Sequence, residues 1–165
     1  MINDPKYDIR FTHVFDAPYL RQWLDAEGML HWFPMSEPKE VDDAIACWIG
    51  FSRFNCSLTA LYDNVPIAMG TLFLMPYRKV AHHALFKLIV DPKYQRHGVG
   101  TSLIRNLKHM AKNSFRLDLI HTEIFEGNPL AHLLEKQGFE LYARQEKLVK
   151  ENNHYLARLL YETKL

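Results

Sequence analysis

The stretch LIVDPKYQRHGVGTSLI, Leu88–Ile104, decides the fold. An apolar run ends at Val90, and Asp91-Pro92 breaks it. A short basic loop follows. Gly98 and Gly100 then open a helix whose Leu103, Ile104, Leu107, Met110 and Ala111 share one face. Backbone N–H groups at a helix start lack intrahelical partners, and the helix dipole adds partial positive charge there. Glycines let a ligand approach that backbone. The result is an anion site suited to a pyrophosphate, with Lys93, Arg96 and Arg105 near enough in sequence to add charge-assisted contacts. The loop has neither the Gly-Lys-Ser/Thr of a phosphate-binding NTPase loop nor the Gly-x-Gly-x-x-Gly of dinucleotide folds.

Outward from this stretch, strand and helix signals alternate. Tyr7–Val14 reads as a strand. Asp16 can cap a helix carrying Leu20, Trp23 and Leu24 and closed by Gly28. Met29–Pro38 reads as an irregular, aromatic-rich loop. Ser36 can cap a second helix with Val41, Ala44, Ile45, Trp48 and Ile49 on one side. Ser57–Tyr62 and Ile67–Leu74 form a hairpin through Asp63-Asn64, and His82–Val90 is a third apolar run. Beyond helix 99–112 lie a strand at Leu117–Phe125, a helix begun at Pro129 and stopped near Gly138, and strands at Phe139–Leu148 and His154–Tyr161. The order β-α-α-β-β-β-α-β-α-β-β predicts an α/β fold with a mixed central β-sheet flanked by helices, parallel where helix 99–112 crosses over.

The chain has 165 residues, 48% hydrophobic and 24% charged, which fits one domain over residues 1–165 and excludes a disordered or low-complexity class. Cys47 and Cys56 are too few for a disulfide framework or a thiolate zinc site, and both read as buried free thiols. The longest stretch free of charge, Asn64–Tyr77, is too short to span a membrane. No signal core opens the sequence. A cytoplasmic protein without membrane contact is the expectation. Charge is unevenly spread: residues 1–50 carry a net −5, and residues 75–116 carry nine bases against Asp91 alone. The basic middle suits a polyanion.

Val90-Asp91-Pro92 followed by Gln95-Arg96-His97-Gly98-Val99-Gly100 resembles the cofactor motif of the GNAT superfamily of acyl-CoA-dependent N-acyltransferases, Gln/Arg-x-x-Gly-x-Gly/Ala after a strand. A second element, Asn128-Pro-Leu-Ala131-His-Leu-Leu134-Glu-Lys-Gln-Gly138-Phe139, resembles that family's later helix, in the expected order and spacing. The resemblance implies a GNAT fold with splayed strands at the cofactor site, and acetyl-CoA as co-substrate. It implies that the amides of Gln95, Arg96, His97, Gly98, Val99, Gly100 and Thr101 bind the pyrophosphate. Leu88, Ile89 and Val90 would bond the pantetheine arm through their backbone, and Asn128 would contact that arm.

The sequence departs from the family where many relatives carry a Tyr that protonates the leaving thiolate. Counting from either landmark gives Leu134 or Glu135. Either Tyr142 substitutes, or the thiolate leaves unaided. For the base, Glu123 lies five residues before Asn128, an offset used by the ribosomal-protein alanine N-acetyltransferase branch. Alternation puts it on a strand face with Leu119, His121 and Phe125, where partial desolvation would raise its pKa. His83 is a second candidate. Adjacent His82 and His83 cannot share one ion, so no metal is expected.

The reading is an enzyme that moves acetyl directly from acetyl-CoA to a small-molecule amine or a peptide N-terminus. The alternative is a non-catalytic acyl-CoA-binding or regulatory module. Nucleic acid is not expected as a partner. A homodimer could form through an end strand such as 154–161. Glu37, Glu40, Asp42 and Asp43, placed near the acceptor entrance, predict a cationic acceptor.

Overall fold

A computed structural model describing residues 1–165 contains β1 (Tyr7–Phe11), α1 (Ala17–Leu24), α2 (Pro38–Gly50), β2 (Ser57–Tyr62), β3 (Val65–Leu74), β4 (His83–Val90), α3 (Val99–Asn113), β5 (Leu119–Phe125), α4 (Leu130–Lys136), β6 (Glu140–Glu151) and β7 (His154–Lys164). The predicted order of elements holds. The strands form one seven-stranded sheet in the order β1-β2-β3-β4-β5-β7-β6. Neighbours run antiparallel except β4 and β5, which α3 connects.

Two apolar clusters cover the two faces. On one, Leu103, Ile104 and Leu107 of α3 meet Ala68, Phe86 and Ile120 of the sheet. Each side chain of this size contributes roughly 1.5–3 kcal/mol when fully buried. On the other, Leu20 and Trp23 of α1 and Val41, Ile45 and Trp48 of α2 close over Met69 and Ile89. Asp63 and Asn64 both take positive φ, as the tight β2–β3 turn requires.

Several local expectations change. β1 stops at Phe11, because Thr12 turns inward to join hydroxyls on β2. Asp16 precedes α1 but does not cap it. Its carboxylate receives two hydrogen bonds from the Arg10 guanidinium, both 2.8 Å, with others from the His13 amide and the Thr59 hydroxyl, both 2.9 Å. The cap of α2 moves from Ser36 to Glu37, and Glu40 reaches back to the amides of both. β7 lies between β5 and β6, so residues 154–161 are not an end strand; β6 is the edge. Cys47 is exposed on α2. Cys56 is buried, and burial pushes its thiol up to about 11.

From Asp16 a chain of polar groups runs through the sheet. Thr59 meets Thr12 at 2.9 Å, Thr12 meets Ser57 at 2.8 Å, Ser57 meets Thr71 at 2.5 Å, and the Trp48 indole donates to Thr71 at 2.7 Å. It ties β1, β2 and β3 to α2. Every member has a partner, which is the condition under which a buried polar network stabilises. Burial pushes the Asp16 carboxyl up, but Arg10, the His13 amide and Thr59 more than offset it, so its pKa lies below the usual carboxylate range. A folded pKa below the unfolded value of about 3.9 stabilises the protein above that pH, and the benefit fades as pH falls through the folded value. Asp16→Asn is therefore expected to cost about 2–3 kcal/mol at neutral pH. Urea unfolding should show this deficit shrinking as pH falls below about 4.

Candidate active site

β4 and β5 pair only at His83–Leu119, Ala84–Ile120 and Leu85–His121. The strands then separate. At the fork the Thr122 hydroxyl donates to the Phe86 carbonyl at 2.8 Å, closing the last backbone position before the gap. From Lys87 to Val90 the side of β4 that faces β5 has no strand partner. The Gln95 side-chain amide reaches the Val90 carbonyl at 3.2 Å.

One cleft of about 710 Å³ runs from this open edge to the start of α3. Leu88, Ile89, Val90, Gln95, Arg96, Gly98, Gly100, Thr101 and Asn128 line it. His97 and Val99 do not: His97 faces solvent and Val99 is in the core. Their amides still belong to the loop. The backbone N–H groups from Arg96 through Thr101 donate to no acceptor in the protein, and the first helix bond is Ser102 to Gly98 at 3.0 Å. Arg96 at φ +62° and Gly98 at φ +85° curl the chain through left-handed positions. A Cβ on Gly100 would sit 3.0 Å from the Leu133 side chain and 3.7 Å from Leu88, inside the cleft. Arg96 lines the cleft, whereas Lys93 and Arg105 do not; Arg105 turns to Gln137. Asn128 accepts the Leu130 amide at 2.9 Å through its side-chain oxygen, which leaves its NH₂ free.

A second cleft, about 320 Å³, opens on the other side of the fork. Trp32, Phe33, Leu88, Asn128 and Leu130 line both. Glu123 is in its wall. It is not a lone carboxylate: Arg158 donates to it at 2.6 Å. Lys87 and Lys150 line the same space. His83 lies at the start of β4, about 16 Å along the strand from Leu88, and lines neither cleft. Its Nδ1 is buried without a partner, its ring is 5.0 Å from that of His121, and burial with this neighbour pushes the His121 pKa down. Tyr142, on β6, also lines neither cleft; burial, then Glu162, pushes its pKa up. Leu134 is in the core, and Glu135 accepts from the Tyr161 hydroxyl at 3.2 Å.

The acidic residues of α2 line neither cleft. Asp42 pairs with Arg21, Asp43 with Lys39 at 3.0 Å, and Glu40 binds backbone amides. They do not form the acidic entrance that the charge count suggested.

The model of the acetyltransferase (GNAT) family matches residues 17–139. This chain belongs to that family. Among curated proteins, the L-amino acid N-acetyltransferase AaaT of Escherichia coli (strain K12) is 28% identical over 100 residues, which is 60% of this chain and 62% of that protein. Solved structures share the GNAT fold. The yncA protein of Salmonella typhimurium, solved with its cofactor acetyl-CoA, superposes at TM-score 0.79 with 15% identity, covering 97% of this chain and 94% of its own. The ribosomal-protein-alanine N-acetyltransferase of Brucella melitensis gives 0.79 with 16% identity, covering 96% and 99%.

In this GNAT chain the first cleft fits acetyl-CoA on its own geometry: a free row of amides for phosphate, an open strand edge for an amide-bearing arm, and a glycine where a side chain would intrude. Sequence reasoning missed His132 and Lys136, which α4 brings to the same cleft, and Lys87, Lys150 and Arg158 in the other. A signal existed for Lys87, a lone charge between Phe86 and Leu88 in an apolar strand. Arg158 and Lys150 had none, because strand pairing across distant sequence places them. Gly100→Val is expected to weaken acetyl-CoA binding by at least about tenfold, or 1.4 kcal/mol. Calorimetric titration checks this, with circular dichroism unchanged.

Proposed function

We propose that this protein transfers the acetyl group of acetyl-CoA directly to the nitrogen of an amine that also carries a carboxylate, as an amino acid does. The carrying observation is the pair of clefts joined at Leu88 and Asn128, the second holding Lys87, Lys150 and Arg158 against the single carboxylate of Glu123. Similarity to an L-amino acid N-acetyltransferase supports the same acceptor class. We read residues 1–165 as one catalytic domain acting in the cytoplasm; no helix is long and apolar enough to cross a membrane.

Acetyl-CoA supplies the acetyl group as a thioester, whose thiol, with a pKa of about 8.5, is a competent leaving group without a protein acid. The remaining tasks fall to the chain. The Arg96–Thr101 amides hold the pyrophosphate, with Arg96 and Lys136 adding positive charge. The open edge of β4 holds the pantetheine arm, and the free NH₂ of Asn128 donates to it. Trp32 and Phe33 exclude water where the clefts meet. Only a neutral amine is a nucleophile, so the acceptor's ammonium must give up a proton. Glu123 is the carboxylate in the acceptor cleft that can receive it.

Thiol release measured across amines tests this reading. Amino acids should exceed their carboxamides in kcat/KM, and carboxamides should exceed polyamines, with the spread narrowing as salt rises. A preference for polyamines or peptide N-termini would overturn the acceptor class. Tight acetyl-CoA binding with no thiol release from any amine would identify a non-catalytic binding module. Glu123→Gln should lower kcat by about 10²–10⁴-fold and leave acetyl-CoA affinity unchanged.

A further inference from the structure

We infer that Arg158 is a shared ligand: it holds Glu123 before the acceptor arrives, and passes to the acceptor's carboxylate on binding, which frees Glu123 to take the amine proton. This rests on the carboxylate-bearing acceptor proposed above.

The two side chains are about equally accessible, with Arg158 28% exposed and Glu123 34%. They meet through one nitrogen and one oxygen, Nη1 and Oε2, at 2.6 Å. The remaining polar edge of Arg158, Nε and Nη2, is bonded to the Gln145 side-chain oxygen, with Nε at 2.7 Å. Gln145 is neutral. It anchors the guanidinium in place without cancelling its charge, so Arg158 stays positioned when Glu123 lets go. The pair is therefore neither bidentate nor fully buried, the two features that would make it costly to open.

The charges in the cleft favour an exchange. Lys87 lies over the Phe73 ring at 5.2 Å and Lys150 over the Tyr155 ring at 5.7 Å; neither forms an ion pair with a carboxylate. An ammonium entering alone would meet three cations. An α-amino acid brings its carboxylate two bonds from its nitrogen, a spacing that suits the adjacent Arg158 and Glu123. Inserted between them, it replaces one ion pair with two, Arg158 with its carboxylate and Glu123 with its ammonium. The N–H proton then moves to a Glu123 oxygen, and the nitrogen keeps the electron pair it needs for attack. An amine without a carboxylate leaves Arg158 on Glu123, so the discrimination falls on kcat as well as on KM.

The test compares the best acceptor among the proteinogenic L-amino acids with its own carboxamide, in the wild type, Arg158→Gln, Arg158→Lys and Glu123→Gln. Thiol release gives kcat and KM, and calorimetry with CoA present gives the equilibrium affinity for the acceptor's deaminated carboxylate analogue, which carries hydrogen in place of the amino group. In Arg158→Gln the acid-over-amide ratio of kcat/KM should fall roughly tenfold to a hundredfold, and Arg158→Lys should keep part of it. In Glu123→Gln turnover should fall, while the acceptor's deaminated carboxylate analogue should bind several-fold more tightly, since Glu123 no longer competes for Arg158 and the analogue has no ammonium partner to lose. An unchanged ratio in folded Arg158→Gln, or no gain in affinity for the deaminated analogue in Glu123→Gln, overturns the exchange. The binding result decides even if Arg158→Gln does not fold. Wild type that prefers the carboxamide overturns the acceptor class itself, so the two failures are distinguishable.

Discussion

Three pairs of residues of parallel pairing, and then none, set the rest of this molecule. Backbone N–H and C=O groups away from water must find partners, so a strand that leaves its neighbour inside a sheet exposes a row of them for some other use. β4 does this after Leu85, and Thr122 ends the pairing by taking the Phe86 carbonyl. The gap between Leu88 and β5 gives two clefts a common wall. α3 begins beside it with amides free, because the chain turns through Arg96 and Gly98 into the helix. With the strands paired to their ends, neither the open edge of β4 nor the two clefts beside it would exist.

The roof over this gap depends on a different set of contacts. α1 and α2 bring the Trp32–Phe33 loop to where the clefts meet, and their own apolar faces hold them on Met69 and Ile89. The hydroxyls of Thr12, Ser57, Thr59 and Thr71 add direction to that packing. Apolar contact is non-directional, whereas a chain of bonded hydroxyls from Asp16 to the Trp48 indole holds one arrangement of α2 over the sheet. Arg10 supplies the charge that lets Asp16 remain ionised in a position 3% exposed.

The order of elements was legible because its signals are local. Asp63-Asn64, Pro129 and Gly138 mark boundaries by their backbone preferences, and the periods of α2 and α3 are unmistakable. The loop of free amides before α3 was legible for the same reason, since it is one continuous stretch. Charge was less informative. Glu37, Glu40, Asp42 and Asp43 counted as an acidic rim, yet they serve the start of α2 and pairs on its surface. The smaller cleft was mostly hidden. Lys87, Glu123, Lys150 and Arg158 come from four strands whose neighbours are fixed by sheet order and by the irregular pairing of β6 with β7, and neither follows from local pattern.

The β6–β7 hairpin has a consequence for how such a protein can diversify. β6 is an edge strand, mostly exposed along its length, yet Gln145, Leu148, Val149 and Lys150 lie along the wall of the smaller cleft or hold a residue of it. Exposed positions of this kind usually tolerate replacement within about 0.5 kcal/mol. The start of α3 and the core enjoy no such freedom, because a change at Gly100 or Leu103 meets packed neighbours. Selection can therefore reshape the smaller cleft by altering a surface strand, while the larger cleft is inherited intact.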